Sequence, residues 1–308
     1  MNTRLPIAKM LTFGLLPGCV KKAVYRLQGN TIGRHVKMHL GSVVSCKNKF
    51  SIGDGTEIGF FTSVSSRTLS IGQRCRIRSA VVINAAKVSI GNDVTISETA
   101  IIRAGHIGER SEIVIDDQVH IFPHTTVDPS RRIHLGEECA VGPGCSIFTH
   151  GSYKNILDGY PVTYGDVTVG QRVELTYNVF VAPGVTIGDD AVIAYGSFVN
   201  KDIPAGVLAA GCPATVKRTK EQFAPARSEE EKQAILNQII EDFKEYASFC
   251  NLRLDPGSVK VIGTQEVILN GVYHYDLVNH RCTLPDTSLS KELRRFFSRY
   301  GIRFKVEA

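Results

Sequence analysis

An aliphatic residue followed by glycine recurs through the first two thirds of this 308-residue chain, at Ile32-Gly33, Ile52-Gly53, Ile71-Gly72, Ile90-Gly91, Leu135-Gly136, Val169-Gly170 and Ile187-Gly188. Ile115-Asp116 fills the gap between the fourth and fifth pairs. Several intervals are about 18 to 20 residues, or three units of about six. Within the coils, apolar residues also step by six, at Val173, Val179, Val185 and Ala191, and in a second register at Val169, Leu175, Val181, Ile187, Ile193 and Val199. A period of six fits neither the 3.6 of an amphipathic helix nor the alternation of a half-buried antiparallel sheet. It fits a short flat strand followed by a turn, with one aliphatic side chain inward and a small residue beside it where space is tight. Gly, Asn and Asp are expected at the corners, where the backbone angles are unusual. Three units close a triangular coil, and stacked coils pair their backbones and bury a continuous Val/Ile core. Periodicity does not set the hand, and parallel crossovers are normally right-handed.

The composition admits this fold and narrows the setting. Apolar residues make up 43% and charged residues 21%, ordinary values for a globular chain. The net charge of +6 suits an anionic ligand, but no Lys/Arg block is dense enough to indicate nucleic acid. The eight cysteines, Cys19, Cys46, Cys75, Cys139, Cys145, Cys212, Cys250 and Cys282, form no CxxC pair and no zinc spacing with histidine. Reduced thiols in a cytoplasmic protein are expected. The apolar run Met10 to Val20 is interrupted by Pro17 and is far shorter than the roughly 20 residues that span a bilayer. It lacks the small-residue cleavage site of a signal peptide. A helix covering one end of the core is expected, and peripheral membrane contact through that helix is the alternative.

Two segments break the period. Ile101 to Ile113 contains the irregular stretch IRAGHIGERSE, and His150 to Asp166 (HGSYKNILDGYPVTYGD) has no six-residue period at all. A long loop leaving a regular solenoid is commonly functional.

After the second break come, in order, the histidine-bearing loop itself at His150, PGVTIG at Pro183 to Gly188, an A-x-G-S-x-V coil at Ala194 to Val199, K-D-I-P at Lys201 to Pro204, and G-x-P-A at Gly211 to Ala214. This arrangement resembles the hexapeptide-repeat O-acetyltransferases of the maltose, galactoside and xenobiotic acetyltransferase group, and most closely the acyltransferases of surface-polysaccharide biosynthesis. The resemblance covers roughly residues 30 to 218 for the fold and 145 to 218 for the motifs. The chain departs from the pattern at Glu174 in place of tryptophan, at Thr176 in place of glycine, at Ala194-Tyr195-Gly196-Ser197 in place of Gly-Ala-Gly-Ser, and at Thr215 in place of lysine.

The resemblance implies an all-β left-handed parallel β-helix acting as an acetyl-CoA-dependent O-acetyltransferase on a sugar or glycan hydroxyl. It also implies a homotrimer with the donor in the groove between subunits. His150 stands where the family has its catalytic base, and an unperturbed histidine pKa near 6.5 suits proton abstraction at neutral pH. Asp158, the first carboxylate after it, is the candidate to orient the ring, with Asp166 next and a backbone carbonyl as the alternative. Tyr195 and Gly196 occupy the place where the family's backbone N–H groups meet the donor. Lys201, Lys217 and Arg218 are candidates for the phosphates of coenzyme A, and Pro213 for packing on its adenine. Cys145 lies five residues before His150, but its repeat slot makes it an inward packing residue rather than a nucleophile. His106, His120, His124 and His134 lack the spacing of the metal-binding relatives of this fold, so no metal is expected.

The ends differ in character. Residues 1–30 read as an N-terminal helical cap, residues 31–218 as the β-helix, and residues 219–308 as a small C-terminal α+β module. In that module Ser228 to Phe249 has helical apolar spacing at Ile235, Ile239, Ile240 and Phe243, with Glu229 to Glu231 at the positive end of the helix dipole. Strands are expected around 259–262, 267–269 and 273–278, then a helix near 290–300 and a strand at 302–306. Transfer to an amino-sugar nitrogen and a non-catalytic scaffold remain as alternatives to O-acetylation.

Overall fold

A computed structural model describes residues 7–151, 154–285 and 287–307. The first six residues of the expected cap, and Ser152 and Tyr153 of the irregular loop, lie outside the described residues. The chain divides into two compact units, Met1–Phe223 and Ala224–Ala308. The division falls a few residues beyond the boundary expected at 218, because the strand Ala214–Thr219 and the turn of helix Lys220–Phe223 belong with the first unit.

In the first unit, three parallel sheets form the three sides of a coil. One side stacks the aliphatic-glycine strands in register, with Ile32 beside Ile52, Ile52 beside Ile71, Ile71 beside Ile90, Ile90 beside Ile115 and Ile115 beside Leu135. A second side aligns Met38, Ile58, Ile77, Ile96, Ile121, Val141, Leu175 and Ile193. The third aligns Val44, Val64, Ile83, Ile102, Val127, Ile147, Val181 and Val199. All these side chains are buried in a single core. The six-residue period therefore assigns one aliphatic residue to each side per turn.

The glycines after the aliphatic residues are set by close approach between coils. A Cβ on Gly53 would lie 2.6 Å from the Gly72 carbonyl carbon. At Asp116 the repeat has no glycine, and the carboxylate turns outward to His134 Nε2 at 2.8 Å.

The corners meet the expectation in part. At one corner Arg74, Asp93, Gln118, Glu138, Arg172 and Asp190 have φ between +53° and +60°, so long side chains share this left-handed position with the expected aspartates. Such a conformation costs about 1 kcal/mol for a non-glycine residue. It is held by a ladder in which each of these N–H groups donates to the corner carbonyl of the preceding coil, at 2.8 to 3.0 Å. The stacking itself fixes the backbone, which relaxes the demand for Gly, Asn or Asp.

The helices Ile7–Leu11 and Gly18–Leu27, with a 3-10 turn at Phe13–Leu15, lie at the first coil. Tyr25 Oη donates to Val44 O at 2.8 Å and accepts from Val44 N at 2.9 Å. Lys21 is 0% exposed, and its Nζ donates to His39 O at 2.6 Å, Ser42 Oγ at 3.0 Å, Gly14 O at 3.2 Å and Ser42 O at 3.3 Å. An open solenoid end leaves carbonyls without partners, and this ammonium group satisfies several of them.

The second unit has its own core of Phe243, Tyr275, Leu293, Phe297 and Phe304. Ser228 and Glu231 form a reciprocal capping box at the start of helix Glu229–Phe249. Val259–Ile262, Glu266–Leu269, Tyr273–Asp276 and Arg281–Thr283 run antiparallel, and Lys305–Glu307 joins parallel to the last of these after helix Ser288–Arg299. The short strand Arg281–Thr283 was not evident in the sequence, since Arg281 and Thr283 face outward and only Cys282 is buried.

Candidate active site

The two breaks in the repeat meet at one corner of the coil. His150 follows the third-side strand Ser146–Phe148, and His150 and Gly151 pair antiparallel with Tyr164 and Thr163. That pairing pinches the base of the second loop. The first break, after strand Ile101–Arg103, brings Gly105 and His106 to the same place, where the rings of His106 and His150 lie edge to face with centroids 5.1 Å apart.

Directly beneath is a carboxylate from the intervening coil. Asp128 pairs in register with Phe148, two residues before His150. Its Oδ2 lies 3.5 Å from His150 Nδ1, and the two side chains are 9% and 17% exposed. Asp128 Oδ1 accepts from Ser130 N at 2.9 Å and Ser130 Oγ at 2.6 Å, and Oδ2 accepts from Gly105 N at 3.1 Å. Three donors therefore fix the carboxylate before the histidine is considered. The His150–Asp128 contact lies within ion-pair distance but is not aligned as a hydrogen bond, which leaves Nδ1 buried without a bonded partner. Catalytic contacts of this kind are often loose without substrate and tighten when it binds.

Neighbouring groups fix the frame. Thr149 Oγ1 donates to Asp128 O at 2.7 Å and accepts from Arg131 N at 2.9 Å. Ser130 Oγ accepts from His106 N at 2.9 Å. The Tyr164 ring lies nearly parallel to His150, with centroids 6.0 Å apart, and the Arg131 guanidinium sits 4.5 Å from the Tyr164 ring centre. Gly105 is packed tightly, since a Cβ there would come within 3.1 Å of both Asp128 Oδ2 and His150 Cε1.

The sequence pointed to His150 but to a different carboxylate. Asp158 sits in the exposed 3-10 turn Ile156–Asp158, and Asp128 is the carboxylate beside the ring. Chain order misled because the solenoid brings residues about one coil apart side by side. The signal that could have found Asp128 is its place 22 residues before His150, in a VDPS stretch where the repeat pattern lapses.

The donor-side candidates lie elsewhere. Tyr195 and Gly196 precede strand Phe198–Val199 on the third side, whereas His150 follows a strand of that same side. They therefore occupy opposite edges of one sheet face. Lys201 follows Phe198–Val199 and is exposed on the His150 edge, two coils along. The face between carries the rings of Phe148, Phe180 and Phe198 at centroid spacings of 5.4 and 5.5 Å. Tyr195 is 77% exposed. The Gly196 N–H, expected to meet the donor, instead donates to Tyr177 O at 2.9 Å as one rung of a corner ladder. Pro213 is exposed in the turn of the hairpin Val207–Gly211 and Ala214–Thr219, and Gly211 N donates to Ser197 Oγ at 3.2 Å, which ties that turn to the Tyr195 edge. Lys217 and Arg218 lie exposed on its returning strand.

Cys145 is an inward residue whose Sγ donates to Thr176 O at 3.0 Å, and burial pushes its thiol pKa up to about 11. The other histidines have separate partners. His120 Nε2 meets Ser97 Oγ, His124 Nδ1 meets Thr99 Oγ1, and His134 Nε2 meets Asp116 Oδ2. Among the described residues, no group of three or more His, Cys, Asp or Glu side chains is placed to hold a metal ion.

Known proteins resemble the chain in part. It is 34% identical over 95 residues to the galactoside O-acetyltransferase of Escherichia coli K12, covering 30% of this chain and 47% of that one. It is 39% identical over 70 residues to the putative colanic acid biosynthesis acetyltransferase WcaF of the same organism, covering 23% and 38% respectively. The chain thus spans about half or less of the length of these curated relatives. Among solved structures, the UDP-N-acetylglucosamine acyltransferase of Campylobacter jejuni superposes with a TM-score of 0.52 at 16% identity, over 91% of this chain and 96% of that one, a likeness of fold. No protein-family model matches the chain.

Proposed function

We propose that a chain so similar to hexapeptide-repeat acetyltransferases is itself an acetyl-CoA-dependent O-acetyltransferase acting on a hydroxyl of a sugar or glycan intermediate. The observation that supports this most is the buried His150–Asp128 pair at the corner where both irregular segments converge.

His150 Nδ1 faces Asp128, so the carboxylate favours the tautomer with the proton on Nδ1 and leaves Nε2 free to act as base. In the proposed reaction, Nε2 takes the acceptor hydroxyl proton as the oxygen attacks the thioester carbonyl. The tetrahedral intermediate then collapses, the carbon–sulfur bond breaks, and the proton passes from Nε2 to the coenzyme A thiolate. Asp128 orients the ring and stabilises the transient imidazolium. Its three donors hold the carboxylate in place for that role.

The donor is assigned to Tyr195, Pro213, Lys201, Lys217 and Arg218, with the basic groups meeting its phosphates. A single chain holds Tyr195 and His150 on opposite edges of one face. A site shared between copies would bring the Tyr195 edge of one chain to the His150 edge of another, in keeping with a homotrimer that has its sites between subunits.

The test is acetyl transfer from acetyl-CoA to a panel of nucleotide sugars, free sugars and lipid-linked glycans, with wild-type protein and His150→Ala. Turnover of one acceptor class by the wild type and its loss in the variant is the expected result. Near wild-type turnover by His150→Ala would remove His150 as the base. No thermal shift with coenzyme A and no transfer would favour a scaffold.

A further inference from the structure

The positive charge of this chain is concentrated at one end of the solenoid. Residues 1–53 contain nine Lys and Arg residues and no Asp or Glu, while the remaining 255 residues carry 27 Lys and Arg against 30 Asp and Glu. The whole net charge of +6 therefore arises from the cap and the first coil.

The described cations there are used mainly against main-chain carbonyls. Lys9 donates to Val44 O, Lys22 to Val36 O, Arg26 to Ile32 O and Lys49 to Gln28 O. These bonds satisfy the carbonyls of the open end but neutralise none of the charge. Arg34 pairs with Asp54 of the next coil, and Lys37 and Lys47 are exposed.

The same end exposes large apolar side chains. Ile7, Leu11, Leu15, Leu16 and Val20 of the cap are all exposed, with Leu11 at 61%. The patch continues onto the first coils, since Gly41 N donates to Gly14 O and the ring of Phe61, itself exposed, lies over Gly41. Exposed Leu40 precedes Gly41, and exposed Phe60 packs against His39 with centroids 4.6 Å apart. An apolar patch beside a cap and first coil rich in Lys and Arg, where Asp54 and Glu57 of the next coil pair with Arg34 and His39, is unusual for a surface that faces only water. Among the described residues, no helix is long and apolar enough to cross a membrane.

We infer that the N-terminal cap docks on an anionic lipid surface, with Leu11, Leu15 and their neighbours entering the headgroup region and the basic residues of the first coil meeting lipid phosphates. Apolar insertion and cation attraction act together in such docking, and either alone is weak. A second copy of the same end is a poor occupant, because it would place two surfaces with an excess of positive charge against each other. The inference is independent of the acetyl-transfer chemistry.

Co-sedimentation of the full chain with vesicles of phosphatidylcholine, and of phosphatidylcholine with phosphatidylglycerol, tests it. The pelleted fraction should be at least about fivefold greater on the anionic vesicles and should fall with added salt. Leu11→Ser with Leu15→Ser, and separately Lys37→Glu with Lys47→Glu, should reduce it to the level of the neutral vesicles while leaving the thermal melt unchanged. Equal pelleting on both vesicles overturns the inference, as does wild-type binding by the folded leucine variant. A change of oligomer size in that variant without lipid binding by the wild type also overturns it and assigns the patch to a second copy. If the variants melt early, the wild-type contrast between the two vesicles and its salt dependence decide alone.

Discussion

His150 Nδ1 and Asp128 Oδ2 lie 3.5 Å apart although the two residues come from adjacent coils, and the carboxylate is already fixed by Ser130 and Gly105. Their roles separate by experiment. His150→Ala should lower kcat by roughly 10²- to 10⁴-fold, the contribution of a positioned base. Asp128→Asn should lower kcat by a smaller factor with little change in KM for the acceptor, and should alter the pH–rate profile because the imidazolium loses its counter-charge. Steady-state kinetics across pH would show this, and an unchanged profile in Asp128→Asn would falsify the orienting role.

Gly105 gives a steric test of the same geometry. An alanine Cβ would stand 3.1 Å from both Asp128 Oδ2 and His150 Cε1, so the pair must shift by a few tenths of an ångström. Gly105→Ala should lower kcat by about tenfold, since small misplacements of reacting groups are costly. The corner is exposed at Gly105, so the thermal midpoint should change little. A fully active variant would show that the tight contact has no bearing on catalysis.

Cysteine reactivity should follow burial. With its thiol pKa raised to about 11 by burial, Cys145 is almost wholly protonated at pH 8. Iodoacetamide at pH 8 should label exposed Cys19, Cys212 and Cys250 first and leave Cys145 and Cys75 unlabelled in the folded protein, as read by peptide mass spectrometry. Rapid labelling of Cys145 ahead of those three would restore it as a candidate nucleophile.

The cap depends on Lys21. Lys21→Met keeps the stem but removes the ammonium from the carbonyls of Gly14, His39 and Ser42; Gly14 O and His39 O keep the N–H groups of Gly41 and Ser42, and the Ser42 carbonyl loses its donor. One buried carbonyl left without a donor, with the other contacts of the ammonium lost, should destabilise the first unit by about 2–3 kcal/mol. In thermal denaturation that is a fall of roughly 5–10 °C. A midpoint within about 1 °C of wild type would show that water replaces the ammonium at little cost.

One surface pair gives a pH signature. The Arg172 guanidinium, 2.8 and 3.0 Å from the two Asp190 oxygens and aided by Lys220, holds the Asp190 pKa below the usual carboxylate value. A depressed folded pKa adds stability above the unfolded pKa near 3.9, and that stability is lost as pH falls through the folded value. Both side chains are partly exposed, so Arg172→Ala should cost about 0.5 kcal/mol at neutral pH. The difference in melting temperature between the two proteins should narrow as pH falls below about 4, if the first unit still melts cooperatively there. A constant difference down to pH 3 would assign the effect of Arg172 to packing.

The repeat alone determined a three-sided parallel coil, because every third six-residue unit must place an aliphatic side chain in the same column. Ile52, Ile71 and Ile90 stack as their spacing requires. The sequence also marked His150 and the two segments where the pattern lapses. It could not show that those segments meet, nor that Asp128 rather than Asp158 stands beside the histidine. It also could not show that the Gly196 N–H is already bonded within a corner ladder. Those relationships depend on which residues of neighbouring coils share a corner. Inserted residues in the breaks shift that register from coil to coil, so only the folded solenoid, with each turn hydrogen-bonded to the next, decides it.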